Sequence, residues 1–168
     1  SVIDQGLYRV PGSVHHLLEQ VVDSADSPQQ RAQDILRWVQ DSISIVADEE
    51  EIDIRETLEN RKGGVLGVTA LLRSMLTRSQ LRADIIMTRP RDQGGFDASF
   101  VNPRSMMLPV VVVDIGEERH VAYHYARGAA LGEYPRQLFD LYGVSVSTRN
   151  PQPLPHPRSR ASLFVAEF

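Results

Sequence analysis

Apolar positions recur along the chain with a helical period in its first half and with a strand-like alternation in its second. At Ser27-Pro28-Gln29-Gln30 a capping residue is followed by proline at the first helical position and by glutamine where a capping box places its return partner. Behind it Ala32, Ile35, Leu36, Val39 and Ile43 share one helical face, which predicts a helix over 28–43. The preceding segment predicts another helix over 14–22, with His15-His16 as surface side chains rather than a ligand pair. Asp53-Ile54-Arg55-Glu56 again has the form of a capping box and opens a short helix toward Asn60. Gly63-Gly64 then interrupts the chain before Val65, Val68, Leu71, Leu72, Met75 and Leu76. That apolar stripe predicts the most buried helix of the domain.

The period changes at Arg82. Ala83, Ile85 and Met87 alternate with mostly polar neighbours and predict a strand. Residues 89–105 contain Pro90, Gly94-Gly95 and Pro103, the composition of a long surface loop. Two β-rich runs, 106–114 and 119–127, are joined by Ile115-Gly116-Glu117-Glu118 and read as a hairpin. Residues 143–148 form a further strand candidate, 150–160 hold four prolines and read as a linker, and 161–168 resemble one more strand. Helices followed by antiparallel strands predict an α+β domain.

Composition narrows the function classes. The chain has 168 residues, room for one domain with an ordinary core. Its formal charge of −4 argues against a nucleic-acid face, which needs a basic excess to neutralise phosphates. The longest apolar run, 106–113, is interrupted by Pro109 and falls far short of the roughly 20 residues that span a bilayer. Ser1-Val2-Ile3-Asp4 has neither a charged nor an apolar leader region, so no secretory signal is expected at this start, although a start without Met suits an excised piece of a longer chain. The absence of cysteine excludes disulfides, thiolate metal sites and a cysteine nucleophile. Basic residues are 17 Arg and Lys62 alone, which points to a GC-rich, bacterial coding bias.

Ala32, Trp38-Val39 and Ile43, then Glu56-Thr57-Leu58, Arg61 and Gly63, and then Leu71-Leu72, Met75-Leu76 and Leu81-Arg82-Ala83, follow one another at a spacing that needs no gap. In this the chain resembles bacterial transglutaminase-like domains, relatives of the papain-like cysteine proteases. The likeness covers roughly residues 28–145 and implies N-terminal helices with a buried central helix packed on an antiparallel sheet. The domain is then expected over 1–148, with 149–168 as a proline-rich linker and terminal strand. The exit at Leu154-Pro155 looks like the join to the β-domain that often follows such cores in bacterial envelope proteins.

The family performs acyl transfer with a Cys, His and Asp triad. Its cysteine stands at the N-terminus of the buried helix, where the dipole and a nearby imidazolium favour thiolate. Its histidine moves protons and its aspartate orients the histidine. By the resemblance these positions fall on Val65, Pro109 and His124, with Leu108 within one residue of the second. An isopropyl group cannot attack a carbonyl. Pro109 cannot take up a proton, and without a backbone donor it belongs at an edge or a bulge. His124 cannot supply the negative charge of an aspartate. Loss of the nucleophile alone in a comparable triad costs about six orders of magnitude in turnover. The expectation is a fold without its ancestral reaction.

Two other arrangements are open to this sequence. Ser105 with His124 is the pair that could form a replacement dyad, the bland reading being a loop serine and an ordinary strand histidine. His120 and His124 have the spacing of a helical metal pair, but on a strand that spacing separates their Cα atoms by roughly 13 Å. The acidic stretch 48–53 lacks EF-hand spacing and suits a helix N-terminus. No metal and no cofactor is expected. The leading expectation is a non-catalytic module that binds a protein or peptide partner within a longer bacterial protein, in the periplasm or cell envelope, or else in the cytoplasm. A hydrolase or acyltransferase with relocated residues and a purely structural spacer are the alternatives.

Overall fold

Both N-cap residues accept the backbone amide three residues on, which is one half of a capping box, and the Gln30 side chain donates forward to Asp34. In the computed structural model, which describes residues 9–24, 26–47, 49, 51–89 and 107–158, helix α1 spans Ser13–Val21 and helix α2 spans Pro28–Ser42. The Ser27 hydroxyl accepts from the Gln30 amide at 3.1 Å and starts α2 with Pro28 inside its first turn. Asp53 accepts from the Glu56 amide at 3.0 Å and starts α3, Ile54–Asn60. Two short parallel strands, β1 (Ser44–Ile45) and β2 (Lys62–Gly63), follow α2 and α3. Their pairing brings the end of α2 beside the start of α4, Val65–Arg78.

Helix α4 closes on a Schellman motif, with Leu81 N donating to Leu76 O and Gln80 N to Thr77 O, and Gln80 stands at φ +68°. After it come β3 (Arg82–Thr88), β4 (Leu108–Ile115), β5 (Glu118–Ala122), β6 (Tyr142–Ser145) and β7 (Pro151–Pro153). They form one antiparallel sheet in the order β5-β4-β3-β6-β7. The sheet curls until its outer strands meet, because Arg119 Nη1 on β5 donates to Gln152 Oε1 on β7 at 2.6 Å.

Alternation along β3 and β4 sends side chains to two cores. Ile85, Val111 and Val113 face the helices, where Ile35, Leu36, Leu71, Leu72, Met75 and Leu76 are fully buried. Ile86, Val110 and Val112 face the opposite side, which the segment after β5 covers with Tyr123, Tyr125, Tyr134 and Leu138. As the apolar stripe predicted, α4 is the helix sealed on most sides.

Three sequence expectations are corrected. The second hairpin strand ends at Ala122 instead of reaching residue 127, so His124 lies in a turn beyond the strand. The cause is Gln40 on α2, whose Nε2 donates to the carbonyls of Tyr123 and Ala129, both at 3.0 Å, and draws the backbone away from the ladder. The strand candidate 143–148 is shorter and begins earlier, at Tyr142. The segment 150–160, expected as a linker, supplies β7 and packs on the domain: Leu154 is buried, its amide donates to Leu141 O, and Tyr134 Oη donates to Pro155 O. Residues 152 and 154 turn their backbone groups toward β6, so Pro151, Pro153 and Pro155 turn theirs outward. The expected loop 89–105 from residue 90 onward, Ser105 within it, and the expected strand 161–168 lie outside the described residues.

Candidate functional site

Helix α4 begins at Gly64, which is extended at φ −66° and ψ 170° and carries no capping side chain. Val65 is therefore the first helical residue, the place where the resemblance puts the nucleophile. Its side chain is half-buried and packs against the tyrosine-rich core. Pro109 is buried on β4, opposite Met87 of β3. The pairing with β5 stops at Val111, so the side on which proline lacks its donor has no ladder partner. Pro109 thus occupies a local edge inside a central strand, as its chemistry requires. His124 is buried one turn past β5.

Two residues that the sequence reading passed over bring these three positions into one network. Thr69, one turn into α4 and fully buried, donates from Oγ1 to the carbonyl of Val65 at 2.7 Å. The same Oγ1 lies 3.2 Å from His124 Nε2. Tyr125 donates from Oη to the carbonyl of Pro109 at 2.5 Å and lies 3.4 Å from Thr69 Oγ1. The His124 and Tyr125 rings stack at 4.1 Å between centroids, and Tyr123 meets Tyr125 edge-on at 5.3 Å. Sequence held one pointer to this cluster: Thr69 is the polar interruption in the apolar run that begins at Val65.

The proton inventory decides what the cluster can do. Thr69 has one hydroxyl proton, and the carbonyl of Val65 receives it. For His124 Nε2 to bond the same oxygen, the imidazole must carry its proton on Nε2 and donate it, an assignment that follows from the network. The imidazole is then a donor toward the hydroxyl, the reverse of a general base taking its proton. Burial holds the His124 pKa down at about 3, offset only in part by the backbone of Ala122, so the ring is neutral. Its Nδ1 makes no hydrogen bond among the described residues. Burial also raises the phenol pKa values of Tyr123 and Tyr125 well above the ordinary range.

Elsewhere the candidate chemistry disperses. His120 pairs with Glu118 at 3.2 Å, and His15 and His16 pair with Glu19 on the exposed face of α1. Among the described residues no cluster of three His, Cys, Asp or Glu could hold a metal ion, and no helix is long and apolar enough to cross a membrane.

No protein-family model and no curated protein matches this chain. Among solved structures it is similar to a putative protease from Parabacteroides distasonis, with a TM-score of 0.64 at 14% identity over 92% of this chain. The chain spans 30% of that protein's length. What the two share is the fold, and the α+β architecture derived above is the one that such a protease-like neighbour contains.

Proposed function

We propose that this chain is a degenerate transglutaminase-like domain that has lost acyl transfer and serves as a protein- or peptide-interaction module of a larger bacterial protein, in the cell envelope. The observation that carries the reading is the buried network at the start of α4. Positions 65, 109 and 124 meet there through Thr69 and Tyr125, and they present an isopropyl group, a pyrrolidine ring and a neutral imidazole. The isopropyl group and the pyrrolidine ring cannot attack a carbonyl, and the imidazole, buried and neutral, holds no compensating charge. The Thr69 hydroxyl is fully buried, with its proton committed to a backbone carbonyl, so it does not replace the missing nucleophile.

The test has a catalytic and a binding half. Peptide hydrolysis and amine incorporation into glutamine peptides are expected to stay at the blank rate, equally in wild type, Ser105→Ala and His124→Ala. Turnover that disappears in either variant overturns the pseudoenzyme reading in favour of relocated catalysis. Selection from a displayed peptide library against the folded domain is expected to return ligands whose affinity falls at least tenfold in Val65→Arg. A selection that yields no such ligand overturns the binding half and leaves the domain a spacer.

A further inference from the structure

Three cations meet at the C-terminal end of α2. Trp38, the one tryptophan in the sequence, is half-buried there and packs on the helical core. The Arg61 guanidinium lies over its ring, with Cζ 4.8 Å from the centroid. Arg61 reaches this place because β2 pairs with β1. The Ser44 amide donates to Arg61 O at 3.0 Å, and the left-handed turn at Arg61, φ 56°, ends α3 beside the end of α2. Arg127 donates from Nη2 to Asp41 O at 3.3 Å, a carbonyl in the last turn of α2. Trp38 and Asp41 are one turn apart on the helix, so both guanidiniums stand at that turn. Lys62, exposed on β2 opposite exposed Ser44, is the third cation.

Part of this charge has a local use. The last turn of α2 holds no basic residue of its own, and Arg127 answers the negative end of its dipole. Arg61 and Lys62 have no such role, since among the described residues their side chains make no hydrogen bond and no ion pair. Stacking holds one face of the Arg61 guanidinium on the indole while the exposed side chain keeps its N–H edge for a carboxylate. Three cations around an aromatic ring, in a chain of net charge −4, make a local reversal of sign that complements acidic side chains.

The patch adjoins the candidate site. Arg61 and Lys62 lead directly into Gly63, Gly64 and Val65, and Arg127 follows Tyr125 and Ala126. Val65 and Ala126, close to these cations along the chain, pack against the same tyrosine-rich core. We propose that Trp38, Arg61, Lys62 and Arg127 form a docking surface for an acidic segment of a peptide partner. The link to residue 65 rests on the interaction reading above, to which this surface adds the charge of the partner.

A displayed peptide library, panned side by side on wild type, Lys62→Glu, Arg127→Glu and Arg78→Glu, provides the test. Arg78 is exposed in the last turn of α4, about 20 Å along that helix from Val65, and its reversal changes the overall charge equally. Wild type and Arg78→Glu are expected to return the same peptides, enriched in aspartate and glutamate over the starting library. Their binding is expected to shift the emission of Trp38, to fade as salt is raised, and to weaken about tenfold in Lys62→Glu and in Arg127→Glu. Should Arg127→Glu disturb the helix end, Lys62→Glu decides alone. Peptides without acidic enrichment overturn the proposal and leave the interaction reading standing. So do acidic peptides that bind Lys62→Glu as tightly as wild type, that lose as much on Arg78→Glu, or that leave Trp38 emission unchanged. Acidic peptides that Lys62→Glu rejects and Val65→Arg still binds uphold this surface and overturn the reading centred on residue 65. A selection that returns no peptide overturns both.

Discussion

Acidification should weaken this fold through His124 in a way that a single substitution isolates. Burial holds the folded-state pKa at about 3, against 6.5 for a solvated imidazole. Between those values the unfolded chain binds one proton that the folded chain refuses. The stability that comes from burying a neutral ring is therefore fully present above pH 6.5 and is lost as pH falls toward 3. The slope is half of its full value at pH 6.5 and approaches about 1.4 kcal/mol per pH unit a unit below, so moving from pH 6.5 to 4.5 removes about 2 kcal/mol. That is a large part of the 5–15 kcal/mol typical of a domain, roughly speaking. Urea denaturation at half-unit pH steps, run on wild type and His124→Gln, measures it. Glutamine does not titrate, while the carboxylates and the other four histidines act equally in both proteins. The variant starts from a lower stability, but its curve is expected to be flatter by about 2 kcal/mol over that interval. Parallel curves would refute the neutral, buried imidazole.

Two further outcomes follow from backbone geometry. Gln80 holds the left-handed position of the Schellman motif at φ +68°, and Gln80→Gly is expected to stabilise by about 0.5–1 kcal/mol, visible as a rise of roughly 2 °C in Tm. Gly143 lies where β6 crosses β3, and a Cβ there would press on the Ile86 side chain and stand 2.8 Å from Met87 O. Gly143→Ala is therefore expected to lower stability by about 1–3 kcal/mol in the same denaturation assay, and an unchanged midpoint would show that the two strands can separate without cost.

Much of the helical half was legible in the sequence because its determinants are local. The caps at Ser27 and Asp53, the break at Gly64 and the apolar stripe of α4 each depend on residues within a turn or two of one another, and each stands where the pattern placed it. The tight turn between Ile115 and Glu118 was equally local. What could not be read depends on distant partners. The end of β5 is set by Gln40, more than eighty positions earlier, and nothing near Tyr123 announces that its carbonyl will be claimed from α2. Proline at alternate positions reads as a linker until one sees that the amides between them face β6. At the candidate site, positions 65, 109 and 124 were named from the resemblance. Thr69 and Tyr125, which join them, were missed, since a threonine within a helix and a tyrosine after a strand carry no mark of the contacts they make.

The alternate prolines of β7 leave that margin of the sheet with carbonyl oxygens and few amide protons to offer. Another β-strand arriving there would find acceptors without donors, so the ladder that starts fibril growth cannot form along it. Tandem copies, or crowded neighbours of similar build, can lie side by side at this margin without fusing their sheets.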